Sequence, residues 1–350
     1  MSGKVSPIIF ALLGAVLFGA SMPAAKLLSG QMAPQLLAGL LYLGSGLGLL
    51  AVYLISGTTK SRKESFVRVQ DLPWLFGVVF FGGVVAPLLC MVGLTETDGS
   101  AASLLLNMEA VFTALLAWFA FRENFDRRIF MGMLAIVAGS IVLVLKPGMV
   151  SHFSLGSLWI IVACFCWGID NNLTRKISDA DPVAVASIKG LVAGITNTAI
   201  ALSFRSAMPS VQGVASVAVV GFLGYGLSLV LFILALRHLG TSRTSAYFST
   251  APFSGTVLSI LFLHESITGN LVLAAALMGV GVWLHVTESH EHEHTHDEEE
   301  HEHLHYHDLH HQHEHLPGDA KTEPHSHRHT HQSLTHTHKH YPDTHHRHKH

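Results

Sequence analysis

Charged residues are scarce in this sequence: Asp, Glu, Lys and Arg make up 13% of its 350 residues, whereas 49% are hydrophobic. The mean hydropathy of +0.42 is rarely reached by a water-soluble domain of this size. Only three cysteines occur, and Cys90, Cys164 and Cys166 all lie inside apolar runs, which argues against a secreted disulfide framework. No G-x-x-x-x-G-K-[ST] sequence is present, and no soluble domain is large enough to hydrolyse a nucleotide, so we expect no nucleotide-driven pump. We also expect the protein not to be an enzyme.

The scarce charges are distributed unevenly between a body, residues 1–287, and a tail, residues 288–350. The body has 16 Lys and Arg against 11 Asp and Glu, whereas the tail has 5 against 13. The tail also holds 23 of the 27 histidines. The two parts therefore differ in chemistry, and we treat them separately.

The body is a succession of apolar runs, each of about 20 residues, which is the length that crosses roughly 30 Å of hydrocarbon as a helix. We count ten such runs and predict an all-α membrane protein with ten transmembrane helices. The predicted spans are 8–28, 34–56, 72–94, 101–121, 129–146, 156–174, 183–203, 213–236, 244–263 and 269–286.

The basic residues of the short loops predict the orientation, because cytoplasmic loops carry an excess of Lys and Arg. With the N-terminus in the cytoplasm, twelve basic residues fall on the inner side and two, Lys146 and Arg205, on the outer side. Ten crossings return the C-terminus to the cytoplasm. We therefore predict a multi-pass protein of a bacterial-type inner (plasma) membrane with both termini cytoplasmic.

The body also repeats itself. An offset of 142 residues aligns Gly82 with Gly224 and Glu123 with Glu265, and an offset of 149 aligns Lys26 with Arg175. Because each repeat has five spans, an odd number, the second enters the membrane inverted relative to the first. Inverted repeats are typical of secondary transporters, whose substrate site lies near the midplane between the repeats.

Local motifs support a family resemblance over roughly residues 8–286. The second half reads ALRHLGTSRTSA at 235–246, Pro252-Phe253 and Leu263-His264-Glu265, and the first half echoes it with GSAASLLL at 99–106, EAVF at 109–112 and Phe121-Arg122-Glu123. The sequence resembles the drug/metabolite transporter superfamily, specifically its EamA-type ten-helix members. The resemblance implies five-helix repeats at 1–146 and 147–287. It also implies a small organic substrate, such as an amino acid, a sugar, a nucleotide precursor or a drug.

Ionisable side chains within the spans are the candidates for substrate binding or coupling, since each costs roughly 2.5–3.5 kcal/mol to insert. Glu109 lies near the midplane, so it is interpreted as a proton-coupling or substrate-binding carboxylate, or else as a hydrogen-bonded structural acid. Asp170 and Lys189 can pair, either functionally or as a static lock between helices. Lys26 is interpreted as an interfacial anchor, with a gating role left open. The full set of substrate or coupling candidates is Glu109, Asn107, Asp170, Asn171, Asn172, Lys189, Lys26 and Trp167.

The tail alternates histidine with acidic residues and threonine and has almost no apolar residue, so we expect residues 288–350 to be disordered and cytoplasmic. Closely spaced imidazoles bind zinc, nickel, copper and cobalt, which makes the tail a candidate metal-binding segment. The alternative is a solvated tail whose chelation has no role in the cell. The candidate ligands are His290, His292, His294, His296, His301, His303, His305, His307, His325, His327, His329 and His331.

We predict a secondary active carrier that exports a small metabolite, amino acid or xenobiotic by alternating access. Two alternatives are a divalent-metal exporter or metal-regulated carrier that uses the tail, and a membrane-anchored metal buffer or sensor that transports nothing. We expect no required cofactor, with divalent metal, zinc or nickel, as a possible ligand of the tail. The expected partners are a small-molecule substrate and the lipid bilayer, with a homodimer left open and no nucleic acid.

Overall fold

The structure, a computed structural model, describes residues 7–57, 68–121, 127–145, 154–177, 180–239 and 247–287 of the body. In the tail it describes the backbone of residues 290–296, 299–305, 325–331 and 334–340. Among these residues the body is entirely helical apart from short connections. The α-helices are α1 (Pro7–Ser29), α2 (Pro34–Gly57), α3 (Leu72–Gly77), α4 (Ala86–Thr95), α5 (Gly99–Leu105), α6 (Met108–Phe121), α7 (Arg127–Val144), α8 (Leu155–Thr174), α9 (Pro182–Ser203), α10 (Val211–Gly221), α11 (Ser228–Leu239), α12 (Ala251–Leu263) and α13 (Gly269–Val286).

Each of the ten predicted spans corresponds to a helical segment of the described chain. Seven of these segments are long and apolar enough to cross a membrane, and two more, Ala251–Leu263 and Gly269–His285, are apolar but shorter. The tenth segment is α8, whose 20 residues end in the polar run Asp170-Asn171-Asn172. The expected ten-helix membrane architecture is confirmed.

The third and eighth spans are each interrupted by a π-helical segment. The segment π1 (Val78–Val85) joins α3 to α4, and π2 (Phe222–Leu227) joins α10 to α11. Both contain glycine, and the repeat aligns Gly82 of π1 with Gly224 of π2. Single π turns inside helices are frequent at functional sites.

The fourth and ninth spans are interrupted by turns. A turn at residues 106–107 separates α5 from α6, and a turn at residues 249–250 precedes α12. The 142-residue offset aligns the first turn with residues 248–249, one residue before the second turn. Interrupted helices in corresponding positions of two repeats are a feature of transporter folds, because they place backbone polar groups next to a cavity.

The helix packing has the symmetry of the repeat. The second and seventh spans, α2 and α9, pack together, and so do the fifth and tenth, α7 and α13. The first span, α1, packs between α11 and α12, just as the sixth, α8, packs between α4 and α6. Exchanging the halves reproduces these contacts, which is the arrangement expected of two inverted five-helix repeats.

Local signals explain where several helices begin. The Asp181 carboxylate accepts hydrogen bonds from the amides of Val183 and Ala184 at 2.8 and 3.3 Å, with Pro182 at the first position of α9. The hydroxyls of Ser210 and Thr268 cap α10 and α13 in the same way.

Four segments of the tail are assigned as strands, β1 (His290–His296), β2 (Glu299–His305), β3 (His325–His331) and β4 (Leu334–His340). Strand β1 pairs with β4 and β2 with β3, both antiparallel. Composition predicts disorder because no apolar core can form, but strand pairing satisfies backbone donors and acceptors without one. Two-stranded ribbons of this kind are marginal in water.

Candidate functional site

The π1 segment provides an acceptor at the centre of the first repeat. The carbonyl oxygen of Gly82 accepts hydrogen bonds from the Tyr42 hydroxyl at 2.8 Å and from the Trp167 indole N–H at 3.1 Å. Both side chains are buried, and their polar atoms are therefore satisfied. The candidate Trp167 is thus placed by its bond to π1, whereas Tyr42 was not among the sequence candidates.

Asp170 and Lys189 form an ion pair between α8 and α9. Asp170 is only 3% exposed, and its second oxygen accepts a hydrogen bond from the Thr174 hydroxyl at 3.3 Å. Its carboxyl group packs directly on Gly82, where a Cβ atom would overlap it. Glycine at position 82 therefore makes the room in which this carboxylate sits. The Lys189 side chain is 21% exposed, so the pair is open on the lysine side.

A second polar group lies beside this pair. The Asn171 side-chain amide donates hydrogen bonds to the Glu109 carboxylate at 2.8 Å and to the Thr113 hydroxyl at 3.2 Å, which connects α8 to α6. Asp170 and Lys189 are close enough to act on Glu109 electrostatically. Glu109, Asn171, Asp170 and Lys189 form what we call the central polar cluster, which carries two carboxylates and one ammonium group.

The exposure of Asn171 shows that the cluster borders an opening. Asn171 follows Trp167 by four residues and Cys164 by seven, so the three lie on one side of α8. Cys164 and Trp167 are buried among neighbouring helices, whereas Asn171 is exposed and Glu109 is half-buried. The exposed amide therefore faces a gap between helices and does not lie on the lipid side of α8.

Four of the sequence candidates lie outside the cluster: Trp167, described above, Lys26, described below, and the two asparagines Asn172 and Asn107. The Asn172 amide is buried and donates to the carbonyls of Gly168 and Thr113 at 2.8 and 3.1 Å, so it ties α8 to α6. Asn107 is also buried and donates to the carbonyl of Leu104 at 2.9 Å, within the turn that separates α5 from α6. Both contacts are structural.

Lys26 lies at the opposite end of the bundle from the end where α8 meets α9. Its ammonium group donates to the carbonyls of Leu94 and Thr95 at 2.6 and 3.4 Å, at the C-terminus of α4, where a cation is favourable. Asp98 and Glu265 act on it electrostatically. The contact favours the interpretation of Lys26 as an anchor. Lys26 is anchored to the C-terminal end of α4.

Glu265 closes the same end by joining the two repeats. Its carboxylate accepts hydrogen bonds from the amides of Gly99 and Ser100 at 2.6 and 2.8 Å, which cap α5 of the first repeat from the second. The Thr256 hydroxyl donates to the Ser100 carbonyl at 3.1 Å. We call Lys26, Gly99, Ser100, Thr256 and Glu265 the closed end. The amide of Gly99 that Glu265 binds lies 166 residues earlier in the chain.

Aromatic rings continue from the cluster into the second repeat. Ring centroids are 5.6 Å apart for Tyr42 and Tyr225 and 5.9 Å apart for Phe18 and Tyr225. Phe18 also contacts Phe248 at 5.6 Å. The bundle interior is therefore polar near α8 and aromatic near α1.

Metal binding within the bundle finds no support in the described part of the chain. No group of three or more His, Cys, Asp or Glu side chains is placed there to hold an ion. Of the predicted tail ligands, His307 lies outside the described residues, and the others are described by backbone position alone.

Comparisons with known proteins bear on the family and the fold. The sequence profile of the EamA-like transporter family matches residues 5–145 and again residues 154–287. An uncharacterized transporter of Methanothermobacter thermautotrophicus is 24% identical over 77% of this chain and 82% of its own length. A probable amino-acid metabolite efflux pump of Salmonella typhimurium is 26% identical over 79% of this chain and 93% of its own. A solved crystal structure with 19% identity covers 81% of this chain and 96% of its own, with a TM-score of 0.59, which supports the fold alone.

Proposed function

Because this chain belongs to the EamA-like transporter family and is a multi-pass membrane transporter of small metabolites, we propose that it is a secondary active exporter. The proposal places it in a bacterial-type plasma membrane with both termini cytoplasmic. It works by alternating access, and the two repeats rearrange around a site near the midplane.

The central polar cluster is the observation that carries the proposal. Two carboxylates and one ammonium group are costly inside an apolar bundle, and such groups mark substrate or ion pathways. The ion pair of Asp170 and Lys189 offsets one charge of each sign, whereas the Glu109 carboxylate accepts its hydrogen bond from a neutral amide, that of Asn171. The cluster therefore has one unbalanced negative charge beside an opening.

An unbalanced carboxylate of this kind suits exchange between a proton and a solute that carries a positive group. In the proposed cycle, Glu109 holds a proton or the substrate ammonium group, and Asn171 orients the carboxylate. The relatives named as probable amino-acid metabolite efflux pumps support an amino acid or a related amine as the solute. A proton gradient then supplies the energy, in keeping with the lack of a nucleotide-binding sequence.

The closed end supplies one of the two barriers that alternating access requires. Its contacts join α5 of the first repeat to Glu265 of the second, and α1 to the end of α4 through Lys26. In the proposed orientation this end is the outer one, so release of the exported solute requires these hydrogen bonds to break.

The test is the Glu109→Gln carrier, which keeps the shape of the side chain and removes its charge. We expect proton-coupled transport of amino acids to be abolished while expression and thermal stability stay near the starting level. Transport is measured as uptake into inverted membrane vesicles with and without an imposed pH gradient. Glu96→Gln, a change of the same kind at an exposed helix end, serves as the matched control and should transport normally. Normal gradient-driven transport by the Glu109→Gln carrier would overturn the role of Glu109.

Export of divalent metal and a metal buffer without transport are the competing functions. Neither gains an observation in the described part of the bundle, which places no metal-ligand group. One experiment distinguishes them from the proposal. Substrate flux and zinc or nickel tolerance are measured in cells that carry the full chain and in cells that carry a chain ending at Thr287. If only metal tolerance responds to the carrier, and it depends on the tail, the metal-export function replaces the one proposed.

A further inference from the structure

The Lys189 ammonium group is only partly used by the protein itself. Lys189 lies on α9, about 10 Å along the helix from its start at Pro182. An ammonium group has three N–H donors. In the described part of the chain Lys189 donates to one acceptor, the Asp170 carboxylate, and its side chain is 21% exposed. Its remaining donors are therefore available to an acceptor that enters the opening beside the cluster.

The other member of the ion pair is closed to a solute. Asp170 is only 3% exposed. One of its oxygens accepts from Lys189, the other accepts from the Thr174 hydroxyl at 3.3 Å, and the carboxyl group packs against Gly82. Asp170 thus holds the ammonium group of Lys189 in place from the buried side, and the accessible side of the pair is the positive one.

Glu109 supplies a negative charge beside the same opening. It is half-buried, and its carboxylate accepts from the exposed amide of Asn171 at 2.8 Å. Asp170 and Asn171 are consecutive residues of α8, so one turn of this helix holds the partners of both Lys189 and Glu109. These two charges are close enough to act on each other electrostatically. The cluster therefore presents one accessible cation and one accessible anion.

An α-amino acid carries the complementary pair of charges, an ammonium group and a carboxylate on the same carbon atom. Moving both charges out of water is costly unless each meets a partner of opposite sign. An amine without a carboxylate satisfies Glu109 but leaves the free donors of Lys189 without an anion. A site that is built to bind a polar group discriminates strongly against an analogue that lacks this group.

We propose that Lys189 binds the carboxylate of the transported solute while Glu109 binds its ammonium group, so that the cluster selects α-amino acids over amines without a carboxylate. The inference rests on the proposed function, in which Glu109 binds the substrate ammonium group. It adds the residue that determines specificity at the other end of the solute. Asp170 is then a positioning residue, which orients Lys189 without contacting the solute.

The first experiment compares two ligands on the unmodified carrier and needs no substitution. Each of the protein amino acids and its α-carboxamide is titrated calorimetrically into the purified full-length protein. The carboxamide keeps the ammonium group and the side chain but has no negative charge. We expect an amino acid that binds to do so at least about tenfold more tightly than its carboxamide, because a charge-assisted hydrogen bond is lost. Equal affinities would overturn the inference.

The second experiment assigns the preference to Lys189. The double variant Asp170→Asn with Lys189→Met leaves no stranded charge, and it should bind the amino acid and the carboxamide with equal affinity. Lys189→Arg keeps the cation and should keep the preference. Glu109→Gln serves as the matched comparison, because it should weaken both ligands by a similar factor. A double variant that still prefers the amino acid tenfold would overturn the role of Lys189.

The outcomes separate this inference from the function on which it rests. If the unmodified carrier binds amino acids and carboxamides equally and Glu109→Gln weakens both, the proposed function stands and only the carboxylate contact of Lys189 is wrong. If the unmodified carrier binds no amino acid at all, the choice of solute in the proposed function is wrong, and the inference is overturned with it.

Discussion

The interface of α8 with π1 and its counterpart, the interface of α1 with π2, have the same shape but opposite chemistry. Aligned glycines, Gly82 and Gly224, make the close approach in the two interfaces. On Gly82 sits the carboxylate of Asp170, whereas on Gly224 sits the side chain of Ser21, which occupies the aligned position. The repeat thus preserved the backbone arrangement, while charge occurs in one copy only.

Other aligned positions follow the same division. Trp167 in α8 corresponds to Phe18 in α1, and Glu109 in α6 corresponds to Ala251 in α12. Gly168 packs on Phe112 and Thr113 of α6, just as Gly19 packs on Ser254 and Gly255 of α12. Since packing is equivalent and charge is not, the charged copy cannot be explained by packing needs. The difference supports the proposal that the α8 side carries the chemistry of the carrier and that the α1 side serves as its scaffold.

The largest expected effect comes from unpairing the ions of the charged copy. Asp170→Asn or Lys189→Met alone leaves one buried charge without its partner, at an expected loss of about 3–5 kcal/mol in stability. The double variant leaves no stranded charge and should be more stable than either single variant. Thermal unfolding of the purified carriers in detergent measures the three. If the double variant loses the sum of the single losses, the two charges do not act as a pair.

An intermediate effect is expected from adding a methyl group to each glycine. Gly82→Ala and Gly224→Ala both crowd a packed contact, and each should cost about 1–3 kcal/mol in stability. Only Gly82→Ala displaces a charged group, so transport per folded carrier should fall for this variant and stay unchanged for Gly224→Ala. Vesicle transport normalised to folded protein measures the difference. Equal loss of transport in both variants would show that the two interfaces contribute alike.

The smallest effect is expected at Ser21, the neutral counterpart of Asp170. The Ser21 hydroxyl donates to the Phe18 carbonyl at 2.6 Å within its own helix. Ser21→Ala should therefore cost no more than about 1 kcal/mol and leave transport unchanged. Unfolding and transport assays on the same preparation measure both quantities. A marked loss of transport with unchanged stability would show that the α1 side belongs to the transport site and is not only a scaffold.

Much of the architecture could be predicted from the sequence. The run lengths predicted ten spans because the thickness of the bilayer sets the length of an apolar helix. The pairing of Asp170 with Lys189 was also accessible, since both lie near one end of neighbouring spans and a lone charge there is costly. Glu109 was identified for the same reason, from its depth.

Other features had no local signal. The partner of Glu265 is the start of α5, 166 residues earlier, and only the folded arrangement of the repeats brings them together. The bond between Asn171 and Glu109 was missed although both residues were candidates, because their meeting depends on how α8 is rotated against α6.

The sequence by itself determined how many helices cross the membrane, that the body is duplicated, and that charge within the spans is rare and confined to a few positions. These properties depend only on the composition and length of successive segments, because the thickness of the bilayer sets how long an apolar helix must be. The tertiary structure alone decided which charges meet, which carbonyls the π1 segment offers to side chains, and which end of the bundle is closed. Such contacts depend on helix rotation and on backbone approach at glycine, and both are set by packing between residues far apart in the chain.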